Sequence, residues 1–259
     1  MRNFLLFLRE KKLMKRFLLF LLLTVVFCGS LSAKNRKIGL LVASEQKSVF
    51  EKYGKALKEE TSGGFKVYSF KNKDYTLLVI NSGVGEIAAA AATQVLIDVY
   101  GVELVVNFGV VGALTEEMSL AENCVIEKIV HYDFDLSGID PVKKGQYPGF
   151  ENEFLLTDSI LIHKALAVCP ELRKVTCASA DKFVADKSAK EKLHSEFSAD
   201  ICEMESAGIF LTCRRNNVPC LFIKAVSDSL TGGGKEYYQE YLRAAAQCLE
   251  ITDKIIKSF

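Results

Sequence analysis

The chain has 259 residues, 49% hydrophobic and 25% charged, enough apolar sequence to bury a full core and unlike a disordered protein. Six of its 33 lysines and arginines but only one of its 32 acids lie in residues 1–33, so the formal net charge of +1 becomes −4 over the remainder. A mildly acidic body with no basic stripe argues against nucleic acid as a partner.

Residues 1–33 read as an export signal. Lys15-Arg16 precedes an apolar run, Phe17 to Phe27, that has the length of a signal core and is short for a membrane span. The small residues Cys28, Gly29, Ser30, Ser32 and Ala33 then suit a cleavage site, and Met14 supplies an alternative start. The expectation is an exported, periplasmic or envelope-associated protein, touching a membrane only through a retained anchor or a lipid on Cys28. Phe27 is a poor lipobox residue. Seven cysteines follow Cys28, an odd number without a CxxC pair, so neither a zinc site nor a disulfide framework is signalled. No metal or cofactor is expected.

From Lys34 onward β and α patterns alternate. Lys37–Ala43 has strand length and Glu45–Glu60 reads as a helix; Phe65–Phe70 and Tyr75–Asn81 predict a hairpin. Ser82-Gly83-Val84-Gly85 turns into an alanine-rich helix over Glu86–Tyr100. Leu104–Phe108 is a buried strand ending in the glycine run Gly109–Ala113, and Cys124–Val130 is another strand before a long loop to Gly149. Leu155–Val168 predicts a helix, Val175–Ala178 a strand, Lys187–His194 a helix, Ile201–Glu203 a short strand and Glu205–Arg215 a helix. Leu221–Val226 is the last buried strand and Lys235–Ser258 a closing helix. Without repeats or linkers, residues 34–259 form one expected domain: a three-layer α/β/α fold around a mixed central sheet.

In such sheets ligands bind beyond the carboxyl ends of strands. Polar residues collect there: Ser44-Glu45, Ser82 with Gly83 and Gly85, Asn107 with Gly109 and Gly112, Asp181 with Phe183, Glu203-Met204-Glu205, and Ser227-Asp228. Each has a plain structural reading. The glycines suit tight turns, Phe183 suits a core, Asp228 an N-cap, and the paired glutamates a helix start, where acids favour the macrodipole. Six such sets on one sheet edge point to a ligand site. Gly83-Val84-Gly85 lacks the third glycine of a dinucleotide fingerprint, and no Gly-Lys-Ser/Thr P-loop occurs.

Taken in order, Ser82-Gly83-Val84-Gly85, Asn107-x-Gly109-x-x-Gly112, Tyr132-Asp133-Phe134-Asp135, Gly145-Gln146-Tyr147-Pro148-Gly149, Ser179–Val184, Glu203-Met204-Glu205 and Ala225-Val226-Ser227-Asp228 resemble the nucleoside phosphorylase/hydrolase superfamily. Within it they most resemble the methylthioadenosine/S-adenosylhomocysteine nucleosidases, from about Lys37 to the C-terminus. The resemblance implies hydrolysis of an adenine nucleoside at its N-glycosidic bond, in methionine salvage, by a homodimer in which the Asp133–Gly149 loop reaches the neighbouring site. It implies Asp228 as proton donor to adenine and Glu205 as the carboxylate that grips the ribose hydroxyls and stabilises the cationic sugar. Ser227 would orient Asp228, Met204 pack on the ribose, Phe183 stack on the purine and the Val184 backbone read its edge. Glu203 joins the binding set, Gly112 admits the purine, and Tyr238 lines the alkylthio pocket.

Three positions depart from the family pattern. Lys47 aligns where a glutamate handles the attacking water, with Glu45 two residues earlier as a substitute. Lys224 replaces an arginine, an exchange that is not conservative at a multidentate site, and Val110 replaces a serine. Two alternatives therefore stand beside hydrolysis: phosphorolysis, with Lys47 and Lys224 as phosphate cations, and an exported binding protein without catalysis.

Overall fold

A computed structural model describes residues 35–259, of which Arg36–Phe259 form one compact unit. The expected export signal, with Met14 and Cys28, lies outside the described residues. The elements run β1 (Arg36–Val42), α1 (Gln46–Tyr53), β2 (Lys58–Ser62), β3 (Phe65–Lys71), β4 (Tyr75–Asn81), α2 (Glu86–Asp98), β5 (Leu104–Ala113), β6 (Asn123–His131), β7 (Leu155–Leu156), α3 (Ser159–Val168), β8 (Arg173–Ser179), α4 (Lys187–Phe197), β9 (Ile201–Glu203), α5 (Ser206–Arg215), β10 (Cys220–Asp228) and α6 (Gly234–Ile256).

The strands make one mixed sheet in the order β10-β6-β8-β9-β5-β1-β4-β3-β2, with β7 on β6 and a further pairing of β10 with β5. That last pairing joins five strands into a closed ring, from which β1, β4, β3 and β2 extend as an open wing. Side-chain alternation along the strands divides the core. Leu40, Val106, Phe108 and Ile223 pack with Leu249 and Ile256 of α6 and Leu161 of α3. Leu41, Val105, Val111 and Phe222 face Ala89, Ala92 and Leu96 of α2 and Ile209 and Phe210 of α5. A third cluster sits under α4, around Leu193, Phe197, Val130 and Ala178. The expected helix–sheet–helix layering is present.

Three element boundaries differ from expectation. The helix expected over Glu45–Glu60 stops at Tyr53, where Gly54 takes a φ of 71°, and Lys58–Ser62 instead pairs antiparallel with β3 at the sheet edge. Strand pairing there overrides the helix propensity of a lysine- and glutamate-rich segment. Leu155-Leu156 forms a short strand on β6; α3 begins only after Asp158, whose side chain accepts from the Ile160 and Leu161 amides. The run Gly109–Ala113 is strand, so Asn107 lies mid-strand, donating to the Leu41 carbonyl at 3.1 Å. All seven described cysteines are free and buried.

The ring brings the carboxyl ends of β5, β9 and β10 together. Gly112 pairs with Cys202 across β5 and β9, and Asp228 pairs with the same Gly112 across β5 and β10. A bulge between Val226 and Asp228 breaks the register there. Bulges re-aim side chains next to active sites, and here both Ser227 and Asp228 line one cleft.

Candidate active site

The cleft has a volume of about 440 Å³, in the range of small-molecule sites. Four carboxyls line it, those of Glu45, Glu203, Glu205 and Asp228, together with Gly112, Met204, Ser227, Phe183, Tyr237 and Tyr238. No lysine or arginine is among the lining residues.

The two glutamates of the Glu-Met-Glu run have different duties. Glu203 ends β9 and is saturated within the protein. Its Oε2 accepts from Lys224 Nζ at 3.0 Å and from the Ser206 hydroxyl at 2.8 Å, and its Oε1 lies 2.6 Å from Ser179 Oγ. The amides of Glu205 and Ser206 also donate to it, so the helix-start role suspected for the pair belongs to Glu203. Burial opposes its charge, but the Lys224 ammonium and the hydroxyls of Ser179 and Ser206 outweigh it and hold Glu203 below the usual carboxylate value. Burial works against the charge of Lys224 too, and Glu203 nonetheless raises its pKa above the ordinary lysine value. Glu205, at the N-cap of α5, accepts from the Gly85 amide at 2.9 Å and faces the cleft. Burial, with the neighbouring Glu203 charge, pushes its carboxyl up to about 7.

Behind this pair lies a third buried acid that sequence reading missed. Glu86, in the first turn of α2, reaches Ser179 Oγ at 2.5 Å through Oε1 and accepts from the Gly208 amide through Oε2. Ser179 Oγ thus stands between two carboxyl oxygens while accepting from the Ala207 amide. One hydroxyl has one proton, so one carboxyl must supply the second. Lys224 keeps Glu203 ionised, which makes Glu86 the neutral acid. Burial and the Glu203 charge push Glu86 up to about 8, consistent with this count. The folded chain therefore holds a proton that the unfolded chain releases near the usual value of 4.5, and this stabilisation fades as pH rises toward about 8. Glu86→Gln supplies a permanent donor to Ser179. We expect its stability advantage over the wild type to grow from pH 5 to pH 9, read as a melting-temperature difference that widens with pH. A constant difference would remove the neutral assignment.

Asp228 is buried at the bulge. The Ser227 hydroxyl donates to its Oδ1 at 3.1 Å, and the fully buried Lys190 of α4 donates to Oδ2 at 2.6 Å. Burial raises its pKa above the ordinary aspartate value, against the opposing pull of Lys190. A Cβ on Gly112 would lie 2.9 Å from Oδ2, so glycine is what leaves space for the acid.

Glu45 is buried at the mouth of α1. The amides of Ala43 and Ser44 donate to Oε2 at 3.1 and 2.9 Å, and the Val110 amide approaches Oε1 at 3.4 Å. A Cβ on Gly109 would come within 3.0 Å of that Oε1. Lys47 lies elsewhere, with its side chain 64% exposed beside Glu51 on the outer face of α1. Of the two, Glu45 lines the cleft and Lys47 does not.

The remaining expected residues divide. Phe183 lines the cleft, half exposed, and packs edge-on against Tyr237 at 5.5 Å. Tyr238 is at the rim and 82% exposed, while Tyr237 beside it is the more enclosed lining residue; adjacent tyrosines at the start of α6 were its only sequence signal. Val184 is not among the lining residues, and its side chain packs in the cluster under α4. Asp181 is drawn away as well, its Oδ1 accepting from the Glu86 amide at 2.6 Å. Asn107 stays inside the sheet.

A mixed sheet with its strand ends gathered around four buried carboxyls makes this an α/β protein with a small-molecule cleft. The profile of the phosphorylase superfamily matches residues 37–259, and the chain belongs to that superfamily. A 5′-methylthioadenosine/S-adenosylhomocysteine nucleosidase of Buchnera aphidicola is 30% identical over 85% of this chain and 97% of its own. An aminodeoxyfutalosine nucleosidase of Campylobacter jejuni is 31% identical over 70% of this chain and 80% of its own. Among solved structures, the futalosine hydrolase of Helicobacter pylori superposes with a TM-score of 0.83 at 27% identity, covering 88% of this chain and all of that one. A mutant nucleosidase from the same organism, solved with 5′-methylthioadenosine in the active site, gives 0.82 at 27% identity, with 87% and 100% covered. The chain is an N-glycosidase acting on adenosine-type nucleosides.

Proposed function

We propose that the chain hydrolyses 5′-methylthioadenosine and S-adenosylhomocysteine, releasing adenine and the 5-thioribose product. As the N-glycosidic bond breaks, its electron pair moves to adenine and Asp228 donates a proton to a ring nitrogen. Burial keeps Asp228 protonated more readily than an exposed aspartate. Glu205 holds the ribose hydroxyls and stabilises the cationic sugar. Water attacks the anomeric carbon and loses its proton to Glu45, whose oxygens are held in place by backbone amides. Phe183 stacks on the purine and Met204 packs on the sugar. The two protonation changes return through solvent.

The observation that carries hydrolysis over phosphorolysis is the absence of any cation among the cleft-lining residues, where four carboxyls stand. A phosphate dianion there would meet carboxyls with no lining cation to offset its charge. Lys47 points to solvent and Lys224 is bound to Glu203, so neither candidate phosphate cation is available. The combination of a raised acid and positioned carboxylates also favours catalysis over simple binding.

The relatives divide between two substrate kinds, the 5′-thioadenosines and aminodeoxyfutalosine, so the test uses both. Purified protein is given 5′-methylthioadenosine, S-adenosylhomocysteine and aminodeoxyfutalosine, with and without phosphate, and adenine is measured. We expect the first two to be cleaved at equal rates whether or not phosphate is present, with the free 5-thioribose sugar rather than its 1-phosphate as the product. Strict phosphate dependence would reverse the mechanism, and turnover of aminodeoxyfutalosine alone would reassign the substrate. The Asp133–Gly149 loop, braced by the Phe134–Tyr147 stack at 3.8 Å, is proposed to complete the site of a partner copy.

A further inference from the structure

Among the charged side chains of the described residues, Lys190 is unusual in having no exposed surface at all. Burying a lysine is costly unless acceptors surround it, and three do. Nζ donates to Asp228 Oδ2 at 2.6 Å, to the Ser229 carbonyl at 2.6 Å and to the Gly232 carbonyl at 3.2 Å. All three acceptors belong to the end of β10 and the loop leading into α6. Lys190 sits one helical turn from Leu193 and two from Phe197, on the apolar face with which α4 meets the body. A lysine in that register has been placed against the acid from behind, on the side away from the Ser227 hydroxyl that holds Oδ1.

We infer that Lys190 is a positioning residue that sets the strength of the general acid, its ammonium stabilising the carboxylate that forms as Asp228 gives up its proton. The inference rests on the nucleosidase reading and on Asp228 as the donor. A carboxylic acid raised only by burial becomes a reluctant donor, because the conjugate base is left in a poorly solvated site. An ammonium at 2.6 Å offsets that cost on the product side of the proton transfer, which is where a general acid needs help. The proton inventory is simple: one proton passes from Asp228 to adenine, the resulting carboxylate pairs with Lys190, and solvent restores the proton after adenine leaves.

The other groups around Asp228 do not supply this charge. On β10 itself the Ser227 hydroxyl is neutral. Gly112 of β5 presents only backbone. Cys202 of β9 is a buried thiol that burial, reinforced by the Asp228 charge, pushes up to about 12, so it stays neutral. Glu236 of α6 accepts from the Ser229 amide and carries a charge of the wrong sign, which raises Asp228 further. Lys190 is therefore the cation that opposes burial at Asp228. Its bonds to the Ser229 and Gly232 carbonyls also tie the acid to the loop that starts α6, which bears the cleft tyrosines Tyr237 and Tyr238.

Lys190→Gln tests this, since the amide keeps a donor for Oδ2 and loses the charge. In the full chain, adenine release from 5′-methylthioadenosine is followed from pH 5 to 10. The expected result is a kcat/KM about tenfold lower at neutral pH, with the alkaline limb moved upward by about one pH unit or more, because Asp228 has become the weaker acid. Lys190→Met should move the limb the same way and stands in if the glutamine variant does not fold, melting temperature being the check. A purely structural lysine would lower kcat with the limb unmoved, and that outcome in either folded variant overturns the inference alone. A wild-type protein that releases no adenine from 5′-methylthioadenosine, S-adenosylhomocysteine or aminodeoxyfutalosine overturns the nucleosidase reading and this inference with it.

Discussion

Asp228→Asn is expected to lower kcat by about 10²–10⁴-fold, the range associated with removing a positioned general acid. The side chain keeps its shape and its place at the β10 bulge, so the loss should fall on kcat more than on KM. The change also leaves Lys190 donating to an amide oxygen instead of a carboxyl in a site with no exposure, which weakens a charge-assisted hydrogen bond of the kind worth about 1.5–3 kcal/mol. The variant should therefore melt earlier than the wild type while still binding nucleoside. That combination separates the catalytic role from collapse of the cleft: calorimetric binding is retained, single-turnover adenine release is lost. Near-normal turnover in a folded Asp228→Asn protein would take the proton donor away from this residue.

The parts of the site that were legible in the sequence are those whose position follows from strand ends. Glu205, Met204 and Ser227-Asp228 each follow a short apolar run, and a strand leaves a side chain at its carboxyl end almost by definition. The strand Ile201–Glu203 was read with its observed limits, because three residues between a polar loop and a helix start leave little freedom. Glu45 was harder. Counting along the chain gives Lys47 the family position, and only the fold shows that the short helix α1 turns Lys47 outward and leaves Glu45 over Gly109.

Lys190 and Glu86 were not read at all, for a different physical reason. Lys187–His194 carries three lysines and reads as a solvated helix face. The register Lys190, Leu193, Phe197 is nevertheless one face of a helix, and a charge at the apolar position of such a stripe was the available signal. Glu86 opens the alanine-rich helix, a position where an acid has an ordinary structural reason to stand. Its burial depends on Ser179 and Gly208, which are remote in sequence and meet it only through the packing of α2 against α5 and β8. Local pattern cannot report that. The misread Lys58–Ser62 belongs to the same class, since its strand state exists only through pairing with β3.

Glu45→Gln should lower kcat by about 10²–10³-fold, in the lower part of the usual range for loss of a general base. The amides of Ala43 and Ser44 donate to Oε2, and an amide oxygen there accepts both, so the glutamine has every reason to occupy the same place. What it cannot do is take a proton from water. Loss of KM alone would mean that Glu45 binds substrate without handling the nucleophile. Lys47→Ala is the paired control. With its side chain 64% exposed beside Glu51, it is expected to leave kcat and KM within about twofold, as surface changes away from a site do. The reverse pattern, with Lys47→Ala crippling and Glu45→Gln mild, would place the water on the other side of α1. Gly109→Ala adds a geometric test, since its new Cβ would lie 3.0 Å from Glu45 Oε1. If the base must be held against β5 to work, displacing it by a few tenths of an ångström should cost activity about tenfold, in line with the sensitivity of catalysis to small misplacements. The acid at Asp228 is untouched by that change. Agreement between Gly109→Ala and Glu45→Gln in lowering kcat, with Asp228 intact in both, would localise the defect to the water step.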